Sequence, residues 1–585
     1  MKASALRVRP FLRLILLSGA ACALALSPAQ ARKKKAEPLP PAENGLIDNV
    51  NGLSIGVDGR ISHFTGLLID KEGRVKQRLS TQDKRPDHLR FRMDGKGRTL
   101  IPSFVDGHTS LIKTGIARMT LDLSGARSFA ETKAMIAAYA RENQGRKWIL
   151  GRGWNPAGWG TEDSDALLPT AADLDAVISD IPVWLESADG EMGWANSLAM
   201  KQAAISATTQ SPPTGRIIMA GGKPSGLFTG GAMDLISHII PPPAPKDRDV
   251  ALDKAQPLFL AAGISSIADM GTSLDDWQSL RRAGDRGALR LRISGYASGI
   301  TDMVTIAGPG PTPWLYGDHL RLGGVHFTLD GSIAARTAWL KAPYADAPAE
   351  KGAMRIDTTR LRNQMSRAAM DGFQIALSAS GDAAVEEAIY AIDELAATYE
   401  GDRRWRIEGA DIIAPNDKTR LNAHGALVTA HPALLVDPGE AATLRRRLGA
   451  ERPFGIPIGL NSSLGLGSWA GGAVSSPFIS IAAAMGYRGN AQIIVPDTER
   501  LSFAQALAAH TINAAYAIQA EKRIGALELG QWADFLLLDR DISTSTPDAI
   551  AATRLMEHWM AGQRVWMAGE TITTSESPSA SDGGR

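Results

Sequence analysis

From Ile101 onward the chain repeats one arrangement: a short apolar run that ends in a polar or glycine cluster, followed in many cases by an alanine-rich helical stretch. The runs include TLIPSFVDGH, PVWLESADG, GISSIADMG, RLRISGYASG, LRLGGVHFTLDG, FQIALSASGD, RWRIEGADI and ALVTAHPALL, and Ala383 to Tyr399 is a typical helix. Apolar strands alternating with helices build an α/β fold around a parallel sheet, and at this number of repeats the sheet is expected to close into a barrel. In such a barrel the chemistry belongs just beyond the C-terminal end of each strand. This one feature directs attention to the polar residues that end the runs.

Two further β regions flank the repeats. Residues 45–100 are punctuated by glycine and read as hairpins, with turns at Asp58-Gly59, Lys71-Glu72-Gly73 and Asp94-Gly95. After the helix FAQALAAHTINAAYAI comes RIGALELGQWADFLLLDRD, a second strand-rich stretch covering 524–571. The repeat region spans 101–523 between them, and the Ser/Gly-rich residues 572–585 are expected to be disordered.

The N-terminus carries Lys2, Arg7, Arg9 and Arg13, the apolar run Leu14 to Leu26, and Ala29-Gln30-Ala31. That is the pattern of a secretory signal peptide over 1–31, and it implies a periplasmic or secreted protein if the source is bacterial. A membrane anchor is the alternative, but the run falls short of the ~20 apolar residues that span a bilayer, so no membrane span is expected after cleavage. Residues 32–44 are rich in Lys, Ala and Pro and suit a tether. Cys22 is the only cysteine; its place in the run leaves a lipoprotein signal as a weak second possibility. Cleavage after Ala31 leaves no thiol for a disulfide or a thiolate metal site. Charge is balanced, 63 Lys+Arg against 62 Asp+Glu, which offers nucleic acid no field and favours a small-molecule ligand. The oligomeric state is not legible.

Six blocks in fixed order carry a resemblance: GRGWNPAGW from Gly151, LPTAADLDAVISDIPVWLESADG from Leu168, WANSLAM from Trp194, PSGLFTGGAMDLI from Pro224, LDGSIAARTAWLKAPYAD from Leu329 and IGALELGQWADFLLLDRD from Ile524. Together they resemble the amidohydrolase superfamily, and within it the amidohydrolase family 3 branch of YtcJ-like proteins and N-substituted formamide deformylases. The resemblance covers about Leu53 to Val565. It implies a (β/α)8 TIM barrel with a small β-sandwich formed from both chain ends, and one or two divalent metals such as zinc activating water for hydrolysis of non-peptide C–N bonds.

Carried over position by position, that metal site is degenerate. The first-strand His-x-His is His108 and Ser110, the bridging-lysine position is His326, two later histidine positions are Ser378 and Gly409, and the catalytic aspartate position is Trp469, in a looser match. Glu191 stands where the branch usually has histidine. Zinc in a catalytic site keeps about three protein ligands, and a hydroxyl is a poor substitute for imidazole. His108 and His326 are the residual metal candidates, and the substituted set implies that no metal is held tightly. The resemblance thus names a C–N hydrolase while the residues point to weak or lost catalysis. The alternatives are a non-catalytic ligand-binding or scaffold protein, a hydrolase with a relocated metal, and metal-free hydrolysis through an acid–base pair.

Other candidates have a structural reading beside the functional one. Asp382 is either a catalytic carboxylate or the N-cap of the helix from Ala383. Glu408 is a candidate general base with no partner evident from sequence. Asp330 and Arg336 are substrate contacts or an ion pair in the pocket wall, and Trp154, Trp159, Trp194 and Trp469 are an aromatic pocket or packing. His431 is structural or faces the pocket, and His510 is packing. No P-loop, HExxH or CxxC occurs, and Gly467-Ser468-Trp469 lacks the spacing of a nucleophile elbow.

Overall fold

A computed structural model of the chain describes residues 44–155, 159, 168–188, 190, 192–212, 215–334, 336–420, 424–436, 438–449, 463–464, 474, 476–489 and 497–570. Seven of the apolar runs, joined by the two-residue strand Ser463–Leu464, form one all-parallel sheet: β1 (Phe104–Thr109), β2 (Ile264–Thr272), β3 (Arg292–Ala297), β4 (Leu320–Thr328), β5 (Gln374–Ala379), β6 (Arg406–Gly409), β7 (Leu427–Ala430) and β8 (Ser463–Leu464). Each strand pairs with the next in sequence, and β8 returns to lie beside β1, so the sheet is a nearly closed barrel. Near the strands' C-terminal ends Thr328, Ser378, Glu408, Thr429 and Ser463 stand in one register row. Strands β1, β3 and β5 are buried along their whole length, as expected where helices cover the outer face and side chains fill the interior.

Strands from both chain ends join in a second, eight-stranded sheet, in which Thr99–Pro102 pairs antiparallel with Phe535–Leu538. Phe64, Leu67, Leu100, Phe535 and Leu537 form its apolar layer. Arg292, fully inside, ties the barrel to this sheet through Asp534 at 2.8 Å.

The run PVWLESADG is not a barrel strand. Val183–Ser187 belongs to a six-stranded mixed sheet inserted between β1 and β2, parallel to Ile149–Trp154 and antiparallel to Met192–Ala195. An apolar run bounded by turn residues looks the same in either sheet, because periodicity reports burial on both faces and not the partner strand. Among the described residues no helix is long and apolar enough to cross a membrane.

Candidate functional site

Arg406 and Glu408 are two residues apart on β6, so their side chains leave the strand on the same face, into the barrel. Both are fully buried, with Arg406 Nε 2.7 Å from Glu408 Oε1. Glu408 Oε2 lies 3.0 Å from His108 Nδ1 at the end of β1. An ionised carboxylate only accepts, so Nδ1 carries the proton. Burial pushes the Glu408 carboxyl up, but Arg406 and then His108 outweigh it and hold it down at about 2. The guanidinium also donates to Thr429 Oγ1 at 2.9 Å, to Tyr296 OH at 3.0 Å and to the Gly107 carbonyl. Tyr296 OH in turn donates a hydrogen bond to Gln374 Oε1 at 2.6 Å. A buried polar column therefore fills the barrel axis from Gln374 up to His108.

Around His108 the mouth is lined with imidazole. The His431 ring meets it edge-on, centroids 5.2 Å apart, and the His326 ring likewise at 6.1 Å. His326 Nε2 lies 2.7 Å from Ser378 Oγ, and burial together with the neighbouring His108 depresses its pKa to about 3, so it is neutral at physiological pH. Ser110 Oγ donates to the Met270 carbonyl at 3.0 Å, which turns it toward β2. Gly409 has φ 92°, in the left-handed region that a histidine would occupy only under strain. Among the described residues no three His, Cys, Asp or Glu side chains converge as a metal cage would require. Of the described residues at the mouth, His108, His326 and His431 would be the donors to a divalent ion.

The structure reassigns several residues. Glu408 does have partners, and with both oxygens facing cationic or N–H donors it is not a base poised near neutrality. Asp382 is not the N-cap: Gly381 holds that place, and Asp382 is the first residue of the helix Asp382–Ala396, its carboxylate accepting from the Lys341 amide at 2.9 Å. Asp330, 2% exposed, gives its two oxygens to the backbone amides of Trp339, Ser380 and Gly381 at 2.9 to 3.0 Å, a clamp on two loops and not a free substrate contact. Arg336 forms the ion-pair alternative, 2.9 Å from Asp346, which Arg447 also binds. Trp154 is fully buried in the core of the inserted sheet beside Trp159 and Trp194, its indole N–H on the Leu185 carbonyl, so these three tryptophans pack that core and do not line the mouth. Glu191 and Trp469 lie outside the described residues.

Sequence reasoning missed Arg406, Tyr296, Gln374 and Asp411. The i, i+2 spacing of Arg406 and Glu408 on a short apolar strand was the available signal. Asp411 follows β6 next to Ser380, and burial raises its carboxyl to about 6, with Asp330 adding to the rise and the Ser380 hydrogen bond opposing it. Asp269 and Asp330, at the ends of β2 and β4, are raised to about 6 in the same way, so three carboxylates at this end of the barrel sit closer to neutrality than an exposed one.

A nearly closed parallel barrel with a polar, histidine-lined mouth places the chain in the TIM-barrel class of folds. The family model described as "Amidohydrolase family" matches residues 93–566, and the chain belongs to that family. It is 31% identical to Protein LONG AFTER FAR-RED 3 of Arabidopsis thaliana over 474 residues, 76% of this chain and 78% of that protein. It is 24% identical to the N-substituted formamide deformylase of Arthrobacter pascens over 471 residues, 77% and 85% of the two chains. The structure of an uncharacterized metal-dependent hydrolase from Pyrococcus horikoshii superposes with a TM-score of 0.70 at 21% identity, covering 86% of this chain and 99% of that one, and shows the shared fold.

Proposed function

We propose that this chain is an amidohydrolase whose C–N hydrolysis is weak or lost and whose barrel mouth binds a small, near-neutral molecule. The observation that supports this reading is the commitment of the mouth residues to one another: Glu408 to Arg406 and His108, His326 to Ser378, Ser110 to Met270, with Gly409 bare. Each of these bonds satisfies a group that a metal site would need turned toward a common centre. Export of the mature chain to the periplasm or medium is part of the same reading, on the strength of the leader-like residues 1–31.

One observation favours the second reading, a relocated metal. A carboxylate on Nδ1 is how a metal-binding imidazole is commonly oriented, and His431 and His326 flank the same ring. One experiment separates the two. Protein prepared without added metal is assayed for metal content, then for turnover of N-substituted formamides and simple amides with and without zinc or a chelator. Substoichiometric metal and turnover unaffected by either additive fit the first reading. Stoichiometric zinc with chelator-sensitive turnover overturns it in favour of the second.

A further inference from the structure

At the opposite end of the barrel from the mouth, a cavity of about 530 Å3 opens below the start of β4 and β6. Its walls carry five cationic side chains against two carboxylates, where the chain as a whole has nearly equal numbers of each. The pairing inside it is uneven. Arg404 is matched by Asp402 at 2.8 Å and Glu521 at 3.1 Å. Arg74 and Arg523 share the single carboxylate of Asp318, at 3.4 and 2.8 Å.

Among the described residues Arg321 forms no salt bridge, and the only carboxylate that acts on it does so through space, Glu521 across the cavity. It is 9% exposed and donates only to neutral acceptors, through Nε to Ser294 Oγ and through Nη2 to the Ile518 carbonyl and Gln519 Oε1. A guanidinium taken out of water without a counter-ion is costly, so a site that retains one favours an anion arriving from solution. The backbone makes room for it: a Cβ on Gly323 would stand 2.7 Å from Arg321 Nη2. The guanidinium carbon itself lies over the Trp314 ring, 5.1 Å from its centroid, and the indole forms an aromatic wall of the cavity. Lys522, at the exposed rim, adds a cation that forms no ion pair among the described residues. Two non-glycine residues with left-handed backbone, Arg404 at φ 49° and Gln519 at φ 54°, line the same cavity, and strain of that kind collects at ligand sites.

We propose that this cavity is a second binding site, for a small phosphate monoester that carries a planar ring. The forked guanidinium of Arg321 with Lys522 takes the phosphate, as Arg does where planar recognition of an oxyanion is needed, and Trp314 stacks the ring. The volume suits a mononucleotide-sized molecule. The site is independent of the reading of the mouth, because none of its residues is among the mouth residues.

Titration calorimetry on the whole protein with adenosine monophosphate, inorganic phosphate and citrate tests it. Adenosine monophosphate is expected to bind saturably below ~1 mM and more weakly as salt is added, with inorganic phosphate weaker because it lacks the ring. Arg321→Met is expected to weaken adenosine monophosphate by about tenfold or more, and Trp314→Ala to bring it close to inorganic phosphate. Lys522→Ala, at an exposed position that leaves folding alone, is expected to weaken both phosphates several-fold and keeps the test valid if Arg321→Met does not fold. No saturable binding of either phosphate, citrate binding as tightly as adenosine monophosphate, or affinity unchanged in Lys522→Ala would each overturn the proposal.

Discussion

Arg406 and Glu408 face each other across 2.7 Å with both side chains at 0% exposure, and everything polar at the barrel axis is arranged around that pair. Such a pair is no sign of net stabilisation, because desolvating both charges offsets their attraction. Removing one partner is another matter. Glu408→Gln strands the guanidinium in the core and is expected to cost about 3–5 kcal/mol in urea denaturation. The double variant Arg406→Met, Glu408→Gln is expected to recover much of that loss. A Glu408→Gln protein as stable as the parent would show that the pair is solvated in solution.

Stability against pH follows from buried groups that titrate in opposite senses. Burial depresses His326 and His510 to about 3 and His558 to about 4. Below their unfolded value of 6.5 the unfolded chain therefore binds protons that the folded chain refuses, and stability falls with falling pH. Burial raises Asp269, Asp330 and Asp411 to about 6 from 3.8, so between those limits the folded chain binds the extra protons and stability rises as pH falls. Three groups of each kind nearly cancel around pH 5. Below 3.8 the aspartates are protonated in both states, while His326, His510 and Glu408, held at about 2 from 4.5, all still lose. Denaturation midpoints are expected to be nearly flat from about pH 6 to 4.5 and to drop steeply below about 4. A steady decline beginning at 6.5 would mean that the aspartates are not held as described.

Gly409 marks the one ligand position that cannot simply be refilled. Its φ of 92° costs an L-residue about 1–2 kcal/mol. Gly409→His is expected to destabilise by that amount or more, with Gly409→Asn milder because asparagine tolerates left-handed backbone better. Ser110→His starts from an N-cap with ordinary extended backbone, φ −132°, and is expected to be borne better. Thermal unfolding of the three variants ranks them, and a Gly409→His protein at least as stable as Ser110→His would refute the strain argument.

What was legible in the sequence divides along physical lines. The barrel was legible because runs ending in polar clusters are a local, periodic signal: seven of the eight are barrel strands, PVWLESADG is not, and the short strand Ser463–Leu464 gave no such run; the ordered blocks added the family. The substitutions at Ser110, Ser378 and Gly409 were legible because they are single letters at fixed places. The partners were not. Glu408 read as a lone carboxylate because its partner His108 lies 300 positions away, and only the closed barrel brings the two together. Asp330 looked like a pocket residue because a carboxylate that clamps three amides and one that binds substrate are spelled the same way. The inserted sheet was hidden because its buried strands carry the same apolar letters as those of the barrel.

Trp154 tests that last distinction. Its indole is fully buried against Trp194 at 5.8 Å and Trp159 at 6.3 Å, inside a layer that also holds Leu185 and Leu227. If this cluster is packing, Trp154→Ala leaves a large cavity in the inserted sheet and costs about 3–5 kcal/mol. Trp154→Phe keeps most of the volume, gives up the hydrogen bond to the Leu185 carbonyl, and is expected to cost less. Neither change touches β1, β4, β5 or β6, so below the unfolding transition both variants are expected to bind any mouth ligand with parental affinity. Urea denaturation together with a binding isotherm separates the outcomes. Lost affinity in a fully folded Trp154→Phe protein would mean that the inserted sheet contributes to the mouth after all, and that the aromatic cluster recognises ligand as well as packing the core.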